Sequence, residues 1–120
     1  MSQKILVADD NAASRELIRE VLEMSGYDVI EACDGQDAVE RVREGPPDLV
    51  LVDIQMPRLD GYGVLRELRA DPSLAALRVV ALTAFAMQGD RERAMEAGFD
   101  GYITKPVDLA ALRQEVRRFL

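Results

Sequence analysis

Histidine is absent from this chain of 120 residues. That excludes a His-based general acid or base and a His-rich metal site. Cysteine is reduced to Cys33 alone, so no internal disulfide can form, which fits a reducing cytosol. No apolar run approaches the ~20 residues needed to span a bilayer. The N-terminus lacks a signal-peptide pattern, because strand-like residues begin at Lys4. Basic residues are in deficit, 15 against 22 acidic, for a formal charge of −7. A phosphate-backbone binder needs the opposite balance, because Lys and Arg neutralise phosphates. The acidic surplus suits a metal site or a partner with a basic patch. Repeats, low-complexity segments and linkers are also missing.

What is present is a core-forming composition, 48% hydrophobic, in a length that fits one domain. Short apolar runs alternate with amphipathic stretches. Residues 4–8 read as a buried strand. Asn11 is placed to cap a helix with Leu17, Ile18, Val21 and Leu22 on one face, stopped by Gly26. Residues 27–32 read as a second strand, and Asp34 caps a helix carrying Ala38, Val39 and Val42 up to Gly45-Pro46-Pro47. Residues 49–52 are apolar on both faces, as at the centre of a parallel sheet. A turn-rich loop over 54–61 follows, then a helix marked by Val64, Leu65 and Leu68. Residues 78–82 and 102–104 complete five strands, with a charged helix over 89–97 between them and Gly98 as its stop. Asp108 caps a last helix with Leu109, Leu112, Val116 and Phe119 inward. Five strands alternating with five helices predict an α/β domain over residues 1–120, with a parallel sheet covered on both faces. The chain is then a whole single-domain protein or a cleanly excised domain.

Four short motifs stand at the ends of these strands: Asp9-Asp10, Asp53, Thr83 and Lys105-Pro106. In an open parallel sheet, ligands bind at the carboxyl ends of the strands. Hard divalent cations take oxygen ligands, and Mg²⁺ commonly uses only one or two carboxylates and keeps several waters. Asp53 ends a wholly apolar strand, where a carboxylate is costly without a cation or hydrogen bonds. With a metal to offset repulsion, such a carboxylate can attack phosphorus. The Thr83 hydroxyl can donate to a phosphoryl oxygen, and Lys105 can pair with that oxygen or with Asp53. Each residue has a plainer alternative: turn or capping aspartates, an aspartate bonded to loop amides, a strand threonine, a solvated lysine. Their joint order at successive strand ends favours the site.

The runs Ile5-Leu6-Val7-Ala8-Asp9-Asp10-Asn11, Leu51-Val52-Asp53-Ile54-Gln55-Met56-Pro57, Ala81-Leu82-Thr83-Ala84 and Tyr102-Ile103-Thr104-Lys105-Pro106 closely resemble the response-regulator receiver domain. The resemblance covers essentially the whole chain. The stretch from Thr83 to Asp90 is most similar to DivK-type single-domain regulators and some hybrid-kinase receivers. It implies a flavodoxin-like, CheY-like (βα)5 fold with strand order 2-1-3-4-5. It implies that Asp53 accepts a phosphoryl group from a histidine kinase or histidine phosphotransfer protein. Mg²⁺, or Mn²⁺ or Ca²⁺ in its place, would be held by Asp10, Asp53 and the backbone carbonyl of Gln55, with Asp9 acting largely through water. Thr83 and Lys105 would hold phosphoryl oxygens, and the Lys105–Pro106 bond would be cis. Thr83 and Tyr102 match the switch positions, which bias the surface of the fourth helix, fifth strand and fifth helix. Gln55 and Phe85 match positions that tune access to the phosphoryl group.

The same resemblance implies a cytoplasmic signalling protein, monomeric or weakly dimeric, that engages proteins and neither nucleic acid nor membrane. It would not be an enzyme beyond slow autophosphorylation from small donors and autodephosphorylation. A phosphatase of the haloacid-dehalogenase type is disfavoured, because Gln55 stands where its second aspartate would be. A flavodoxin-like nucleotide binder is disfavoured because residues 9–13 contain no glycine. Arg113, Arg117 and Arg118 read as a solvated basic strip, as do the mixed charges of Arg91, Glu92, Arg93 and Glu96. Met24, Met56, Met87 and Met95 read as fillers of core or loop gaps.

Overall fold

A computed structural model describes residues 3–84 and 89–120. The elements alternate as β1 (Lys4–Ala8), α1 (Ala12–Met24), β2 (Asp28–Ala32), α2 (Gly35–Glu44) and β3 (Leu49–Asp53). They continue as α3 (Gly61–Ala70), β4 (Arg78–Thr83), α4 (Asp90–Ala97), β5 (Gly101–Thr104) and α5 (Leu109–Phe119). All strand pairings are parallel, in the order β2-β1-β3-β4-β5. The chain moves outward from β1 to β2, then returns past β1 to β3. That reversal opens a crevice at the carboxyl ends of β1 and β3.

Side chains alternate across the sheet and divide the core in two. Ile5, Val7, Leu49, Leu51, Val80, Leu82 and Ile103 pack against α1 and α5 through Ile18, Leu22, Leu112 and Val116. Leu6, Ala8, Val50, Val52, Val79 and Ala81 pack against α2, α3 and α4 through Val39, Val42, Val64, Leu68 and Ala94. Every residue of β3 is buried, which explains its continuous apolar run. Helix starts are set by side-chain caps. Asn11, Asp34 and Asp108 accept from Ser14 N, Asp37 N and Ala110 N, as expected, and Asp60 does the same for Gly63 N. α4 has no such cap, starts from Gly89 at φ 92°, and buries only Ala94.

Several boundaries differ from the sequence pattern. Asp53 and Thr83 lie inside the ladder, opposite Leu82 and Thr104, because pairing continues past the last apolar residue. Tyr27 lies outside β2, since its N–H donates to the Leu22 carbonyl at the end of α1. Met56 is buried, but Met24 and Met95 are exposed rather than filling gaps; Met24 is the last residue of α1, beyond its apolar stripe. Met87 lies outside the described residues. Arg118 pairs with Glu115 at 3.3 Å and lies over the Phe119 ring. No helix among the described residues is long and apolar enough to cross a membrane.

At Gly61, beside the site, a close backbone approach requires glycine. A Cβ on Gly61 would lie 2.7 Å from the Asp53 carbonyl oxygen and from Ile54 Cα. Its N–H donates to the Ile54 carbonyl at 2.8 Å, closing the loop that follows Asp53. Gly45 has nothing within 4 Å of the same added atom. Gly61→Ala is therefore expected to cost about 1–3 kcal/mol in urea unfolding, while Gly45→Ala stays within about 0.5 kcal/mol. Equal midpoints for the two variants would contradict the packing described.

Candidate functional site

Four of the five strands deliver chemical groups to the crevice. β1 leads into Asp9 and Asp10, β3 ends at Asp53, β4 at Thr83, and β5 is followed by Lys105. Asp9 is fully buried and Asp53 is 6% exposed; both are in phase with the residues that face α1 and α5. The Lys105 ammonium donates to Asp9 Oδ2 and Asp53 Oδ2, each at 2.6 Å. The remaining oxygens are also used: Asn11 N–H donates to Asp9 Oδ1 at 3.0 Å, and Gln55 N–H to Asp53 Oδ1 at 2.9 Å. The Lys105 N–H donates to the Thr83 carbonyl at 2.7 Å, and the following Lys105–Pro106 bond is cis.

One ammonium serving two buried carboxylates leaves negative charge in excess. Burial pushes the Asp53 carboxyl up from its ordinary value, and the nearby Asp9 charge adds to this. The Lys105 and Gln55 hydrogen bonds oppose it without cancelling it. For Lys105 burial works downward, but the bonds to Asp53 and Asp9 and their charges prevail, so the ammonium is held above its ordinary value. The two directions agree: the lysine stays charged, and the acids compete for it.

Asp10 is exposed and has no side-chain partner among the described residues. One carboxylate oxygen each from Asp9, Asp10 and Asp53 lie within 4.8 Å of one another. This oxygen-only set, with Asp10 unsatisfied and charge in excess, fits a hard dication such as Mg²⁺. It opens onto a cleft of about 530 Å³ lined by Asp10, Ile54, Gln55, Met56, Asp60 and Tyr62. A smaller recess of about 130 Å³ joins Gln55 and Tyr62 to Thr83, Asp90 and Arg93. A groove between α1 and α5, lined by Leu22, Met24, Tyr27, Arg113 and Arg117, contains no carboxylate.

The site residues read from the sequence thus meet in one place, with two qualifications. Tyr102 packs against the α2–α4 side of the core and turns its hydroxyl inward. That hydroxyl is buried with no well-formed hydrogen bond among the described residues, although the Thr83 side chain acts on it; burial pushes its phenol up. Phe85 lies outside the described residues. Arg15 escaped the sequence reading. It donates to the Asp9 carbonyl at 2.7 Å and to Glu31 at 3.0 Å. Its only signal was a basic residue on the first turns of a helix leaving an acidic pair.

The sequence profile of the response regulator receiver domain matches residues 5–117. The polar-differentiation response regulator DivK of Brucella ovis is 37% identical over 120 residues, covering all of this chain and 98% of DivK. Among solved structures, the receiver domain of a sensor histidine kinase from Pseudomonas aeruginosa is 37% identical with a TM-score of 0.91. It has a magnesium ion coordinated in its active site cleft; the match covers 99% of this chain and 98% of that one. A receiver domain of a Syntrophus aciditrophicus histidine kinase is 34% identical with a TM-score of 0.90, covering 99% and 90% of the two chains. A Vibrio cholerae chemotaxis response regulator, 23% identical with a TM-score of 0.93, shows the fold alone. Profile, full-length relatives and fold agree, and the chain belongs to the response regulator receiver domain family.

Proposed function

We propose that residues 1–120 act as the phosphoacceptor unit of a two-component relay or phosphorelay, with Asp53 as the acceptor. The observation that carries this reading is the Lys105 ammonium, 2.6 Å from both Asp9 and Asp53, beside the unpartnered Asp10. In the transfer, an Asp53 carboxylate oxygen bonds to phosphorus as the N–P bond of a donor phosphohistidine breaks. The electron pair of that bond stays with the imidazole, which takes up a proton. Asp10, Asp53 and the Gln55 carbonyl would hold Mg²⁺, or Mn²⁺ or Ca²⁺, with Asp9 reaching it through water. The ion supplies neutralisation of charge on the phosphoryl oxygens. Lys105 and Thr83 each take one phosphoryl oxygen, and Lys105 gives up part of its hold on Asp9 to do so.

The acyl phosphate adds up to two negative charges and strong acceptors. Thr83 turning toward them changes what faces the Tyr102 hydroxyl. Tyr102 then couples the site to α4, β5 and α5, and α4, with one buried residue, has the fewest of the five helices. The chain acts as a binding switch in the cytoplasm, as a monomer or weak dimer, standing alone or within a larger regulator or hybrid kinase. Its donors are a histidine kinase or histidine phosphotransfer protein. The magnesium ion in the Pseudomonas aeruginosa receiver supports the metal assignment.

Acetyl phosphate with Mg²⁺ is expected to add one phosphoryl group by intact mass, and Asp53→Asn or chelation to abolish it. Modification that persists in Asp53→Asn would sink the assignment. Lys105→Met removes a cation from the site, so Mg²⁺ is expected to bind more tightly by calorimetry. Phosphorylation should nonetheless slow about 10²-fold or more, as for loss of a transition-state donor. Faster phosphorylation would contradict the role given to Lys105.

The raised Asp53 carboxyl also sets a pH dependence in metal-free buffer. The folded state holds that proton more tightly than the unfolded one. Its contribution is therefore full below the ordinary carboxylate value of about 3.9 and is lost as pH rises through the folded value. Asp53→Asn should match wild type in urea midpoint at low pH and exceed it at neutral pH. A variant less stable at neutral pH would show that Lys105 outweighs burial at Asp53.

A further inference from the structure

Asp9 and Asp10 share one peptide unit, and the structure holds that unit from outside the site. The preceding peptide is anchored as well, because the Asp9 N–H donates to the Ala32 carbonyl at 3.1 Å. The Asp9 carbonyl, which belongs to the Asp9–Asp10 peptide plane, accepts from Arg15 at 2.7 Å. Arg15 is itself oriented: its Nε donates to Glu31 Oε1 at 3.0 Å, and Arg19 donates to Glu31 Oε2 at 2.7 Å. Glu31 sits on edge strand β2, opposite Val7. Burial works against its charge, but Arg19 and Arg15 outweigh it and hold the carboxyl below its ordinary value. A chain of polar contacts therefore runs from the sheet edge to the peptide that aims Asp10. Asp10 has no side-chain partner of its own among the described residues, so the direction of its carboxylate is set through its backbone.

Resting on the receiver reading above, we propose that Arg15 is a positioning residue for the metal. Its guanidinium fork, braced by Glu31, fixes the Asp9–Asp10 peptide plane so that the free Asp10 carboxylate faces the cation position. Outer contacts of this kind commonly tune metal affinity about 10–100-fold. The alternative role for Arg15 is simple charge, and the two roles have opposite signs. A cation near a dication site repels the ion, so as a bare charge its removal tightens binding. As a brace, its removal loosens binding. Lysine separates them further, because an ammonium keeps the charge but not the planar fork that spans Glu31 and the Asp9 carbonyl.

The test is Mg²⁺ titration by calorimetry on wild type, Arg15→Met, Arg15→Lys, Glu31→Ala and Asp10→Asn, with urea midpoints to establish folding. Expected results are binding by wild type, loss in Asp10→Asn, and a Kd about tenfold weaker in both Arg15 variants. Glu31→Ala should weaken binding as well, and the Arg15→Met, Glu31→Ala double variant should be less than additive, since both act along one chain. If Arg15→Met destabilises the fold, Glu31→Ala with Arg15 intact still reads the brace. Tighter Mg²⁺ binding in Arg15→Met, or an unchanged Kd in both Arg15→Lys and Glu31→Ala, overturns the proposal. A folded wild type that takes up no Mg²⁺, while Asp10→Asn behaves identically, overturns the receiver reading beneath it.

Discussion

Two carboxylates are drawn under a single ammonium at the carboxyl edge of this sheet, and much of the molecule exists to hold them there. Asp9 and Asp53 are buried, and Lys105 reaches both at 2.6 Å. Carboxylates so far from water persist only when paired and hydrogen-bonded. Here Asn11 and Gln55 backbone N–H groups complete the shell. Three carboxylates against one ammonium still leave the site short of positive charge. Burial, helped by the Asp9 charge, raises the Asp53 carboxyl, and the oxygen-only set fits a hard dication such as Mg²⁺.

The sheet's alternation gives the site two sides. Asp53 continues the phase of Leu49 and Leu51, toward α1 and α5, while Thr83 continues that of Val79 and Ala81, toward α2, α3 and α4. Tyr102 belongs with Thr83 on that second side. In the proposed role, a group attached to Asp53 would lie between the Lys105–Asp9 pair and the Thr83 hydroxyl, on the side of the sheet that also carries the Tyr102 phenol. Beyond the phenol lies α4, which has no side-chain cap and a single buried residue. In the proposed receiver role, chemistry at Asp53 would shift such an element, because little packing opposes the shift.

Much of this was legible in the sequence, and the exceptions share a cause. The strands showed as apolar runs because β3 is buried on both faces, and Asn11, Asp34 and Asp108 showed as caps because capping is local. Asp60 caps α3 from inside a loop whose turn residues masked it. The ladder extends to Asp53 and Thr83, beyond what hydropathy marks, because strand pairing is set by the backbone. The Glu31–Arg15–Asp9 contacts join residues 16 apart and 6 apart in the chain, and such pairs leave no periodic trace. Tyr102 could be placed on β5 from its pattern, but its inward hydroxyl depends on how α3 and α4 pack around it.

The most direct measurement is a crystal structure of the protein with Mg²⁺ and beryllofluoride, a mimic of the phosphoryl group. The account requires the beryllium on an Asp53 oxygen, Mg²⁺ on Asp10, Asp53 and the Gln55 carbonyl, and fluorides within hydrogen-bond reach of Lys105 and Thr83. Lys105 should then have lengthened or lost its contact with Asp9. An adduct absent from Asp53, or one formed with Lys105 still bridging Asp9 and Asp53 as in the present structure, would contradict it.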